Sequence, residues 1–148
     1  MKKITHSEKE TMSIAKKFAL SMKGGELLCM YGDLGAGKTT FVKGFVGALS
    51  KNQKISSPTF VLMKHYRVSR GKIDEVVHID AYRISDTSEI LNIGFEEFIG
   101  DGRKVVIIEW ADKIKNIFPK QRIDIHIKHL GVDTRQIEIK EKKETESL

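Results

Sequence analysis

The stretch Gly32-Asp33-Leu34-Gly35-Ala36-Gly37-Lys38-Thr39, followed by Thr40, fits the pattern G-x-x-x-x-G-K-[ST]. Each residue type has a physical reason. The glycines let backbone N–H groups turn inward around a phosphate with no Cβ in the way. A helix starting at the loop's end points its partial positive charge at the same phosphates. Lys38 adds a full charge at the β- and γ-phosphates, and the Thr39 hydroxyl suits Mg²⁺. The flanks agree with this. Glu26 to Tyr31 is a short, mostly apolar strand running into Gly32, and Phe41, Val42, Phe45, Val46 and Leu49 recur at helical spacing. Strand, glycine loop, helix is the context that the pattern requires. A chance glycine-rich turn is the bland alternative. Gly44 and Gly47 weaken the helix by propensity, and read as close packing against a sheet.

At 148 residues the chain is one domain by length, with enough residues to bury a core. It is 40% hydrophobic and 31% charged, the composition of a soluble globular protein. No apolar run approaches the roughly 20 residues that span a bilayer, and Met1 to His6 contains no secretory core. The single cysteine, Cys29, falls in the first apolar strand and reads as a core thiol. These features point to the cytoplasm and away from a membrane. The net charge of +6 suits a protein that handles phosphates. The basic residues are dispersed without interleaved aromatics, so direct nucleic-acid binding is only weakly supported.

Taken in order, Ser7-Glu8-Lys9-Glu10 is a capping box, with a helix to about Met22 that buries Met12, Ala15, Phe18, Ala19 and Met22. The helix after the glycine loop ends between Ser50 and Gln53. Lys54 to Phe60 is hydroxyl-rich around Pro58, an extended segment that reads equally as a nucleotide-sensing switch or an ordinary loop. Phe60 to Val68 and Val76 to Asp80 read as an antiparallel hairpin turning at Ser69 to Lys72. His78 lies opposite Val77 and Ile79 and reads as a packed or hydrogen-bonded histidine. Asp86 to Ile93 and Phe95 to Ile99 are short helices. Val105 to Ile108 is the most apolar run, a strand buried on both faces and ending in Glu109. An acid at that place is a Walker B carboxylate, able to hold Mg²⁺ directly or through water. Asp80, ending its own apolar strand, competes for the role. Asp112 to Phe118 is a short helix. Arg122 to Lys128 and Arg135 to Lys140 alternate as two antiparallel strands, with Asp124, His126 and Lys128 on a wet face. Residues 1–140 form the domain and 141–148 a charged tail.

Four stretches together resemble the TsaE (YjeE) family of P-loop ATPases, required in bacteria for threonylcarbamoyladenosine in tRNA. They are the glycine loop through Thr40 and Phe41, Ser57-Pro58-Thr59-Phe60, His78-Ile79-Asp80-Ala81-Tyr82-Arg83-Ile84, and Ile108-Glu109-Trp110-Ala111. Ala81 departs from the family's usual leucine. The resemblance implies an α/β fold, a single P-loop NTPase-type domain whose mixed parallel and antiparallel sheet is flanked by helices. It implies ATP on Asp33, Leu34, Gly35, Ala36, Gly37, Lys38, Thr39 and Thr40, with Trp110 close by. It implies Mg²⁺ at Thr39 and Glu109, and catalytic work by Lys38, Asp80 and Glu109. It also implies partners, TsaB and TsaD, with tRNA met only through their complex, and hydrolysis that resets that complex between turnovers. No water-orienting residue or arginine finger announces itself, although Asp80 is the best candidate for the former. The chain therefore reads as a weak ATPase stimulated by partners. The alternatives are a small-molecule or nucleotide kinase and a non-hydrolysing ATP-sensing module.

Overall fold

The structure is a computed structural model and describes residues 1–33, 35–50 and 62–143. Leu34, the Ser57–Phe60 segment and residues 144–148 lie outside the described residues. A seven-stranded sheet runs in the order β1-β7-β6-β2-β5-β4-β3. The strands are β1 (Lys2–Thr5), β2 (Leu27–Tyr31), β3 (Met63–Arg70), β4 (Ile73–Asp80), β5 (Lys104–Glu109), β6 (Arg122–His129) and β7 (Arg135–Lys142). The inner strands β6, β2, β5 and β4 are mutually parallel. Antiparallel strands extend both sides, β3 on β4 and then β7 on β6 with β1 outermost. This is the mixed α/β sheet expected from the sequence.

Helices α1 (Glu8–Ala19) and α2 (Lys38–Leu49) cover one face. Ser7 caps α1, its Oγ accepting from Glu10 N–H at 3.1 Å, while the Glu10 carboxylate reaches back to the amide of His6. The helix stops at Ala19, a turn short of the expected Met22, although Met22 is still buried. Under α1 and α2, Phe41, Phe45 and Val46 meet Leu28, Met30, Val76, Ile107 and Ile125 of the sheet. Gly44 lets the two helices touch: a Cβ there would stand 2.6 Å from the Met12 carbonyl oxygen. The other face carries α3 (Ser88–Leu91), α4 (Phe95–Ile99) and a 3-10 segment over Ala111–Ile117. Ile90, Phe95 and Ile114 pack there on Cys29, Val77, Ile79, Val106 and Ile108.

Several boundaries and one face differ from expectation. Strand β1 has no counterpart in the sequence reading, and β7 continues through Glu141 and Lys142. The 60–68 strand is β3, described from Met63 and ending at Arg70. Asp124 is buried rather than wet. Its strand is paired on both sides, in parallel with β2, where Asp124 lies beside Cys29. Arg122 Nε donates to its carboxylate at 3.0 Å.

Candidate functional site

Lys38, Thr39, Asp80, Glu109 and Trp110 gather at the carboxyl ends of the parallel strands, where open α/β sheets bind ligands. Strand β2 ends at Tyr31, and the chain turns through the glycine loop into α2. Gly37 caps α2 with φ 107°, a left-handed conformation that a side chain would strain. Gly37 has no side chain to satisfy the amides at the start of α2, so that end of the helix is suited to an anion.

Asp80 and Glu109 are register partners on β4 and β5. They therefore stand side by side on the α2 face, at the strands' ends. Asp80 Oδ1 accepts the Tyr82 backbone N–H at 2.9 Å. Glu109 is 3% exposed, and its Oε2 lies 2.6 Å from His78 Nε2. Lys38 reaches toward this acidic corner. Its Nζ donates to the carbonyls of Gly32 and, at 2.9 Å, Asp33, and sits 4.0 Å from the centre of the Trp110 ring. Burial pulls the Lys38 ammonium below its ordinary pKa, while the fields of Glu109, Asp33, Asp80 and Asp112 oppose that shift. Trp110 is the one non-glycine described residue at positive φ, 59°. That conformation costs of order 1–3 kcal/mol and sits where the chain leaves the sheet beside the cleft. Its ring leans on Tyr82 at 4.9 Å between centroids.

These groups line one cavity of about 510 Å³, within the roughly 300–1,000 Å³ range of small-molecule sites. Gly35, Ala36, Gly37, Lys38, Thr39 and Thr40 form its floor, and Asp80, Tyr82, Glu109 and Trp110 one wall. The opposite wall comes from Glu8 and Thr11 of α1 and from Val132, Asp133 and Arg135 around the β6–β7 turn. Asp33 is not among the lining residues; its carbonyl holds Lys38 instead.

Arg135 is the residue that the sequence reading missed. Its Nη1 donates to the carbonyls of Gly131, Val132 and Thr134. Its Nη2 donates to Gly35 O at 3.3 Å, tying the turn to the glycine loop. Nearly a hundred residues separate the two in sequence, and no local signal connects them. Among the described residues no group of three or more His, Cys, Asp or Glu could hold a metal. Mg²⁺ does not require one, since it is commonly held by one or two protein ligands with phosphates and waters completing the shell. A hydroxyl at Thr39 and carboxylates at Asp80 and Glu109, in a cleft that also presents Lys38, fit that donor set.

Comparison with known proteins bears on the fold and the family. The family profile described as "Threonylcarbamoyl adenosine biosynthesis protein TsaE" matches residues 5–137. A Bacillus subtilis (strain 168) protein named tRNA threonylcarbamoyladenosine biosynthesis protein TsaE is 41% identical over 133 residues, covering 90% of this chain and 80% of that protein. A protein of the same name from Aquifex aeolicus is 41% identical over 114 residues, covering 76% and 77%. The crystal structure of Bacillus subtilis YdiB superposes with a TM-score of 0.72 at 36% identity, covering 93% of this chain and 82% of that one. With a profile match over nearly its whole length and relatives this similar, the chain belongs to the TsaE family.

Proposed function

We propose that this protein binds Mg²⁺·ATP in the cleft, hydrolyses it slowly, and acts in making threonylcarbamoyladenosine in tRNA. The observation that carries the reading is the convergence of Lys38, Asp80 and Glu109 on one cavity floored by the glycine loop. Phosphoryl transfer asks for positioning and charge neutralisation more than covalent chemistry. The loop amides and Lys38 cradle the β- and γ-phosphates. On phosphate binding, Lys38 exchanges the carbonyls of Gly32 and Asp33 for phosphate oxygens. Thr39 and Glu109 hold Mg²⁺, which supplies further neutralisation of the phosphate charge. Asp80 orients the attacking water. Arg135, whose donors are turned onto four carbonyls, braces the wall and does not act as a mobile finger. With no mobile cation for the transition state in this proposal, turnover by the isolated chain falls below about 1 s⁻¹, the low end for kinases.

The partners in this reading are TsaB and TsaD, with tRNA approached through them, and hydrolysis resets their complex between turnovers. The test is ATP hydrolysis by the chain alone and with TsaB, TsaD and tRNA. Strong stimulation is expected, falling about 10²–10³-fold in Lys38→Ala, the scale for losing one preorganised charge-stabilising donor. ATP binding without stimulation would overturn the partner coupling. ADP release that depends on a small acceptor molecule would mark a kinase instead.

A further inference from the structure

His78 has no part in the phosphate contacts above, yet it sits directly beneath them. It lies two residues before Asp80 on β4 and therefore on the same sheet face. On its face it lies between Val76 and Asp80 of its own strand, with Ile107 as register partner on β5 and Lys64 on β3. The ring is 0% exposed, and its Nδ1 has no hydrogen-bond partner among the described residues. An isoleucine or leucine would fill this place without stranding a ring nitrogen, which costs on the order of 1–3 kcal/mol. Among the described residues, the side chain's one hydrogen bond is the 2.6 Å contact with Glu109 Oε2. A carboxylate only accepts, so in this contact Nε2 is the donor.

We propose that His78 is a positioning residue that fixes the Glu109 carboxylate for a divalent cation. The imidazole holds Oε2, which fixes the plane of the Glu109 carboxylate and leaves Oε1 uncommitted to His78. A carboxyl group 3% exposed also needs a hydrogen-bond partner, and His78 provides one from below the cleft. Asp80 is steadied differently, by a main-chain donor on Tyr82. This division leaves proton and water handling to Asp80 and cation holding to Glu109. The inference rests on the Mg²⁺·ATP reading.

The test uses the full chain with His78→Leu and His78→Gln. Mn²⁺ is the probe, titrated by electron paramagnetic resonance in the presence of a non-hydrolysable ATP analogue. Metal-free binding of the same analogue is measured in chelator. His78→Leu keeps the volume, and its circular dichroism and thermal unfolding are compared with the wild type before titration, with His78→Gln as the variant that retains a donor. Its Mn²⁺ affinity is expected to fall about 10–100-fold, the usual scale for losing a group that orients a metal ligand. Metal-free nucleotide binding stays as in the wild type. His78→Gln, which still presents an N–H toward Glu109, recovers most of the loss. Wild-type Mn²⁺ affinity in His78→Leu overturns the proposal, as does an equal fall in metal-free binding, which would mean a packing role. If the wild-type chain binds no nucleotide at all, the Mg²⁺·ATP reading fails and the inference goes with it.

Discussion

The two faces of the sheet are covered in contrasting ways. One carries two helices of twelve residues each, interlocked through Gly44 and packed on the sheet by Phe41 and Phe45. The other carries pieces of four, five and seven residues. The cleft draws on both. Its glycine-loop floor is the start of α2, on the tightly covered face. Tyr82 and Trp110 come from the connections that lead into the short pieces. A floor set at the start of a long helix therefore faces a wall built from segments with few hydrogen-bonded turns of their own. Ligand-binding walls are commonly drawn from the less stable parts of a fold.

Matched truncations give the sharpest test of this contrast. Phe45 and Phe95 are both 0% exposed, one on each face. Phe45→Ala should cost nearly 5 kcal/mol and Phe95→Ala about 3 kcal/mol, the span for Phe→Ala in cores, because the short pieces can settle into the gap. Denaturant midpoints measure both, and equal losses would break the comparison. Next in size is Gly44→Ala. The new methyl meets the Met12 main chain, which cannot rotate away, so about 1–3 kcal/mol is expected from overpacking. Ser7→Ala removes the α1 cap and should cost about 1 kcal/mol by the same assay. The smallest effect is a labelling rate. Burial, helped by the charge of Asp124, pushes the Cys29 thiol far above its ordinary pKa, so native thiolate is scarce. Cys29 sits under the 3-10 segment, in the layer with Ala111 and Ile114. Its alkylation should proceed by local opening of that segment, faster than the amides of α2 exchange. Labelling that waits for global unfolding would say that both faces are equally secure.

The parts of the fold visible in the sequence were those with local periodicity or punctuation. The glycine loop, the Ser7 capping box, the apolar run of β5 and the alternation at Ile123, Ile125 and Ile127 each carry their signal within a few residues. β1 was invisible because four residues show no usable period, and its pairing partner lies at the far end of the chain. Asp124 reads as wet yet is buried, because alternation reports a strand's two faces without saying what covers them. The site followed the same division. Asp80 and Glu109 could be read as strand-end acids, but their register pairing could not. The hydrogen bond from His78 crosses from β4 to β5, and the grip of Arg135 on Gly35 spans the sheet. Both depend on strand order, which no stretch of sequence states.

The outermost strands hold one more implication, for the timing of assembly. β1 pairs through Lys2–Thr5 with residues 135–138, among the most distant contacts the chain can make. Arg135, which opens β7, also braces the glycine loop. A ribosome releases the loop about a hundred residues before its brace. The glycine loop is therefore made well before the residue that braces it, and contacts of such long range close slowly. The cleft wall is complete only once the β6–β7 hairpin brings Arg135 to the glycine loop and β1 pairs at its edge.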